Sequence, residues 1–237
     1  MASTSSTTTS DVFSFGNFFK EWLVTQKSDL EQLNILSSQV HLEVELESLV
    51  GRVLSHYQHY YETKLRAVSE NVFLLFSSPW LSSYERSLLW ITGFKPGVPF
   101  RIVEKQFGGG ELLSSDQVEK IKSLKVETIS KEKALSKEMA KIQESVVGPS
   151  WVEIINRMDT QVADNGEVDQ VLGKIERELK ILVIEADFLR ATTARELVSI
   201  LSPVHAAKFL ASTAWLQLNI RNWGLKIDAD RMAKMAS

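Results

Sequence analysis

The sequence predicts an all-α fold: a single multi-helix bundle of long amphipathic helices with one short, tryptophan-rich helix wedged into it. Three observations carry that reading. Apolar residues return every three or four positions along most of the chain. No stretch alternates apolar and polar residues with the period of two that a half-buried strand requires. Serine, proline and glycine stand where such helices would start and stop.

Residues 1–12 are dominated by serine and threonine, with no arginine and no apolar core, and read as a disordered leader rather than a signal or transit peptide. The composition then changes abruptly: Phe13, Phe15, Phe18, Phe19, Trp22 and Leu23 crowd one helix-length segment. So many large apolar side chains need a surface to cover them. Either they pack on the main core, or the helix stays exposed and docks aromatic anchors into another protein's groove. Docking through Phe15, Phe18, Phe19 and Trp22 is the expectation taken forward.

From Leu42 to Leu75 the spacing predicts one long helix or two collinear ones, on the stripe Leu46, Leu49, Val53, Tyr57, Tyr61, Leu65, Val68 and Val72, with Gly51 as the expected bend. His56, His59 and Glu62 fall at metal-ligand spacing on that helix. With no recognisable supporting shell they read as part of a solvated stripe, and no metal is expected. Residues 78–96 follow. Ser82 and Glu85 form a capping box, Gly93 offers a left-handed stop and Pro96 cannot continue a helix. Trp80, Tyr84, Leu88 and Ile91 recur at helical spacing while Leu89 and Trp90 face elsewhere, which is the pattern of a wedge apolar on several sides.

Gly97 to Gly110 reads as a loop, and its glycine triplet lacks the Lys-Ser/Thr pair of a phosphate loop. Ser114 and Gln117 can box the start of a helix running to Val147, with Val118, Ile121, Leu124, Leu135, Met139 and Ile142 on one side and Thr128 and Glu132 interrupting. Its seven lysines between Lys120 and Lys141 are interleaved with glutamates, so the track reads as a solvated face with pairs such as Glu127 to Lys131. Gly148-Pro149 ends it, Trp151 to Met158 begins a short helix, and Asp164-Asn165-Gly166 marks a turn. The run from Val168 to Leu201 is helical with Thr192-Thr193 as a break. Ser202-Pro203 opens the last helix, which closes at Gly224 and leaves a flexible tail over 227–237.

Composition removes several functions. A net charge of -3 with 24% charged residues gives no general attraction to nucleic acid, and no basic run precedes the helices. The absence of cysteine removes disulfides, thiolate nucleophiles and cysteine-ligated zinc. No apolar run approaches the roughly 20 residues of a membrane-spanning helix. The four histidines are scattered at 41, 56, 59 and 205, and no nucleophile, base and charge-holding group come together. The chain therefore does not read as an enzyme. Trp80, Trp90 and Trp215, with small residues on the last helix, could line an apolar ligand pocket.

The residues 78–96, together with Tyr60-Tyr61-Glu62-Thr63-Lys64, Glu185-Ala186-Asp187-Phe188-Leu189-Arg190 and Trp223-Gly224, resemble the plant Delay-of-Germination domain over residues 13–226. That domain is found alone in seed-dormancy regulators and as the C-terminal half of TGA-type bZIP transcription factors. The resemblance implies a noncatalytic regulator in abscisic-acid signalling, seed germination or salt stress, similar to the Response-to-ABA-and-Salt type. It implies a nuclear and cytoplasmic setting, protein partners such as type 2C protein phosphatases or transcription factors, and no direct nucleic-acid contact. It also brings two alternatives, a carrier of a fatty acid or haem and a membrane-domain factor of pollen-wall formation. The family's haem case resembles two histidines four apart in the last helix. Aligned from Trp223-Gly224, those places hold Gln217 and Arg221, neither an ordinary haem ligand, so no cofactor is expected.

Overall fold

The computed structural model describes residues 5–38, 43–108, 113–145, 148 and 165–236. Among them lie seven α-helices and no strand: α1 (Ser5–Ser37), α2 (Glu43–Ser77), α3 (Ser83–Ser87), α4 (Val98–Phe107), α5 (Ser115–Ser145), α6 (Asn165–Ile200) and α7 (Pro203–Met235). The all-α bundle that the periodicity predicts is the observed architecture. Helix α2 packs on α1, α6 and α7; α5 lies along α6; and α3 and α4 rest on α7.

Helices α1, α2, α5 and α6 each serve two successive cores with their two halves, whereas α7 contributes to the first alone. One core gathers Leu33, Leu49 and Val53 with Phe100 of α4 and Leu197 and Phe209 of the C-terminal helices. The other gathers Phe15, Phe19 and Trp22 of α1, Val68 and Val72 of α2, Leu135 of α5 and Leu179 and Val183 of α6. Tyr57, midway along α2, packs against both.

The capping chemistry is realised. The Ser114 hydroxyl accepts the Gln117 amide at 3.2 Å while Gln117 accepts the Ser114 amide at 3.0 Å. Ser202 accepts the His205 amide ahead of Pro203. The two residues that break the α5 stripe have partners of their own: Thr128 meets Thr193 of α6 at 3.3 Å, and Glu132 accepts the Gly97 amide at 3.1 Å. Glu127 and Lys131 pair at 2.6 Å as their spacing predicts.

Several boundaries differ from expectation, each for a local reason. The bend of α2 is at Asn71 (φ -154°, ψ 95°), not Gly51, because the Asn71 side chain accepts the Leu74 amide and caps a fresh turn. Most of the expected loop from Gly97 is the helix Val98–Phe107, with Pro99 in the first turn of α4, where its missing amide costs nothing, while Gly109 and Gly110 lie outside the described residues. Thr192-Thr193 does not interrupt α6, since the Thr193 hydroxyl is absorbed by Thr128. Helix α7 does not close at Gly224 but runs to Met235 through the expected tail, and α1 begins at Ser5 inside the expected leader. The expected short helix at Trp151 to Met158, the turn residue Asp164 and the side chain of Phe13 lie outside the described residues.

Candidate functional site

Among the described residues the wedge is the least regular part of the bundle, and it is held from two sides. After α3, which is only five residues long, the chain makes a tight turn in which Trp90 and Gly93 exchange backbone hydrogen bonds, Trp90 N to Gly93 O at 2.7 Å and Gly93 N to Trp90 O at 3.2 Å. Gly93 does not take the left-handed conformation expected of it. Ile91 (φ 43°) and Thr92 (φ 60°) take it instead, and Ser78 (φ 41°) does so at the other end of the wedge. A β-branched residue held there costs of order 1–3 kcal/mol, so the surroundings must impose the shape.

Three buried charged side chains impose it. Arg190 of α6 donates through Nε to Phe94 O at 2.7 Å and through Nη2 to Ile91 O at 2.9 Å and to Trp90 O, while its Nη1 meets Asp187 Oδ1 at 2.5 Å. Lys64 of α2 donates to Thr92 O and Asp187 Oδ1, both at 3.0 Å. One carboxylate thus sits between two cations, and four turn carbonyls offset the surplus positive charge that would otherwise be untenable in a buried site. Burial pushes the Lys64 ammonium down to about 8, against the opposing pull of Asp187. Gly93 is a glycine because Arg190 fills its Cβ space: a Cβ there would lie 2.9 Å from Arg190 Cζ. The indole of Trp90 completes the holder, lying 5.2 Å beneath the guanidinium and donating Nε1 to Ser136 of α5 at 2.9 Å.

Helix α7 grips the other end. Glu85 Oε2 accepts the Ser82 amide and hydroxyl at 2.8 and 2.7 Å, the predicted capping box, and Arg221 Nη1 reaches the same oxygen at 3.2 Å. Asp228 accepts the Ser83 amide at 2.8 Å and also the Ser83 hydroxyl, and these hydrogen bonds lower its pKa. Between Arg221 and Asp228 lies Gly224, where an added Cβ would stand 2.0 Å from Ser82 Oγ. The glycine that reads as a helix stop is a notch for α3.

A second polar cluster ties α1 down. Gln26 donates to the Tyr57 hydroxyl and to Gln217 Oε1, and Asp29 faces His56 at 3.1 Å and Arg52 at 3.8 Å. Burial lowers His56, with Asp29 opposing.

Residues 29–105 match the family described as DOG1, seed dormancy control. The chain is 34% identical over 226 residues to Protein ZW2 of Arabidopsis thaliana, covering 92% of this chain and 99% of that protein. It is 33% identical over 225 residues to Protein RESPONSE TO ABA AND SALT 1 of the same plant, covering 90% of this chain and 96% of that protein. The chain belongs to the DOG1 family. The Arabidopsis thaliana transcription factor TGA3 is a further match, 27% identical over 202 residues that make up 85% of this chain and 51% of the factor. RESPONSE TO ABA AND SALT 1 and TGA3 are named for a response and for transcription, and the family model for seed dormancy control, which gives the DOG1 family a regulatory character.

The motifs that carry the DOG1 resemblance prove to be the parts of one assembly. Lys64 comes from the first, Asp187 and Arg190 from the second, Gly224 from the third, and all of them hold the wedge. The signal for this was present as Asp187 and Arg190 at i, i+3 on one helix face, but the matching lysine is 123 residues earlier and no local pattern announces it.

The expected partner-binding residues are placed differently. Phe15, Phe19 and Trp22 are 4%, 4% and 3% exposed, and in this conformation they are core. Trp22 stacks on His56 with ring centres 4.8 Å apart and donates to the His56 carbonyl, Arg221 lies 5.2 Å over Phe19, and half-buried Phe18 meets His59 edge-on. The pairing of α1 with α2 and α7 supplies the surface that these aromatics need. His56, His59 and Glu62 do not converge, since His56 turns to Asp29, His59 to Phe18 and Glu62 to Gln58.

Nor do Trp80, Trp90 and Trp215 share a pocket. Trp80 packs 4.8 Å from Phe15, Trp90 is committed to Ser136 and Arg190, and Trp215 is 53% exposed beside an open depression of about 170 Å³ with Leu30 and Gln106. Gln217 and Arg221 are taken by Gln26 and Glu85, and neither carries the donor that haem iron needs. Among the described residues no helix is long and apolar enough to cross a membrane.

Proposed function

We propose that this chain is a noncatalytic regulatory protein of plants that acts by binding other proteins in abscisic-acid and salt-stress responses and in the control of germination. Similarity along nearly the whole length of RESPONSE TO ABA AND SALT 1 carries this reading. The chemistry of the site supports it. The buried lysine, the guanidinium groups and the carboxylates of the wedge are committed to backbone and to one another, so they shape a surface and offer no activated nucleophile. Partners of the kind proposed are type 2C protein phosphatases and transcription factors, met in the nucleus and cytoplasm, with DNA reached only through such a partner.

The test has two arms. Purified chain is titrated against a type 2C phosphatase and against a TGA-type factor, and seed lacking the protein is germinated on abscisic acid and on salt. Saturable binding to either protein with altered germination supports the proposal. Normal germination with no binding to either overturns it.

A further inference from the structure

We infer that the outer face of α6, with its seam to α2, docks an amphipathic helix of another protein whose apolar centre is flanked at both ends by acidic side chains. The inference rests on the proposed function and says where contact is made. Arg177, Ile181, Ile184, Phe188, Ala191 and Arg195 succeed one another in steps of four, three, four, three and four. All are exposed except half-buried Ala191, and Phe188 is 71% exposed. It is the odd member of its motif, since Ala186, Asp187, Leu189 and Arg190 around it are buried. A strict three-four stripe is what a partner helix reads, each apolar knob fitting between four side chains opposite. Single exposed apolar residues need no explanation, but a contiguous ridge does.

Helix α2 widens the ridge into a seam. The bond from Lys180 Nζ to Ser69 O, 2.9 Å, fixes the antiparallel register of α2 and α6. Counting four residues along each helix from that bond puts Leu65 level with Ile184, and four more put Tyr61 level with Phe188. Leu65 is exposed and Tyr61 half-buried, so the apolar strip is two helices wide. Lys64 and Asp187 close the next row inward at 2.9 Å, which keeps both walls rigid.

The charges choose the occupant. Arg177 and Arg195 bound the strip about 27 Å apart along the helix, given 1.5 Å per residue. A second copy of this chain laid on the same stripe, parallel or antiparallel, sets arginine against arginine. An anionic lipid surface meets Glu185 on one flank and exposed Glu62 and Glu70 of α2 on the other. A helix of about 18–20 residues with leucine or phenylalanine at its centre and glutamate or aspartate at both ends satisfies the strip and both arginines.

The test uses the full chain and two labelled synthetic helical peptides of 20 residues. They share a leucine stripe at three-four spacing and differ only in carrying three glutamates or three lysines at each end. Fluorescence anisotropy is expected to show about tenfold tighter binding of the acidic peptide, weakened by salt. Phe188→Asp, at an exposed position, should lose about tenfold of that binding or more, with an unchanged helical melting curve. Arg177→Glu with Arg195→Glu should reverse the preference toward the basic peptide. Equal binding of the two peptides, no saturable binding, or a Phe188→Asp variant that binds as tightly as wild type overturns the inference. So does self-association, or attachment to phosphatidylserine vesicles, that Phe188→Asp abolishes. Phosphatase or TGA-factor binding that Phe188→Asp leaves intact also overturns this surface, while the proposed function stands.

Discussion

The two cores of the bundle are built on different principles. Around Phe100 and Phe209 regular helices meet through apolar side chains, and burial of that surface is sufficient to hold them. Around Val68 and Val183 helices α2 and α6 must also carry an irregular turn, and there Lys64, Asp187 and Arg190 are buried to satisfy its carbonyls. The difference shows what each device does. Apolar contact fixes where helices lie, but it cannot specify a left-handed Ile91-Thr92 turn, whereas donors aimed at four particular carbonyls can.

The contrast can be broken most severely at Asp187. Asp187→Asn leaves two cations facing each other without a counter-charge and should cost about 4 kcal/mol in urea unfolding. Adding Lys64→Met should restore roughly half of that loss by removing one of the two cations. Phe100→Ala should cost about 3 to 4 kcal/mol through an unfilled cavity, with no polar change able to restore it. If the Asp187 loss is not recovered by the second change, the charge account of the wedge-side core is wrong.

Titration separates the cores further. Because Lys64 is depressed to about 8 from 10.5, the unfolded chain binds more protons between those values, and stability should rise with pH from about 8 by up to about 3 kcal/mol. Three half-buried tyrosines act oppositely: desolvation of the hydroxyl pushes Tyr57 up to about 12 and also raises Tyr60 and Tyr61, so stability falls again above pH 10. Urea midpoints from pH 7 to 11 should therefore pass through a maximum, and Lys64→Met should remove its rising limb.

Smaller effects sharpen the picture within the wedge. Gly224→Ala forces a methyl against Ser82 and should cost about 2 kcal/mol, read as a lower melting temperature that Ser82→Gly in the same chain partly relieves. Thr92→Gly should stabilise by about 1 kcal/mol, since it relieves a left-handed residue whose buried hydroxyl has no hydrogen-bond partner. A destabilised Thr92→Gly would show that the threonine does something there beyond occupying space.

Legibility followed locality. The helices, the Ser82, Ser114 and Ser202 caps and the Glu127 to Lys131 pair depend on residues three or four apart, and the periodicity exposes them. The kink at Asn71, the α4 helix and the notch at Gly224 did not show, because each residue type has two local meanings and a distant neighbour decides between them. The aromatics of α1 illustrate the same limit. Their number declares that a partner surface is required, but not whether it belongs to this chain or another, and α2 and α7 supply it.

The Arg190 clamp also has a consequence in time. During synthesis the Trp90 to Phe94 segment emerges almost a hundred residues before the arginine that shapes it, since the Arg190 to Trp90 bond spans 100 positions. Until the ribosome has delivered α6, that segment lacks the guanidinium that imposes its final shape. Native geometry at Ile91 and Thr92 therefore signals that the polypeptide has been completed at least as far as Arg190.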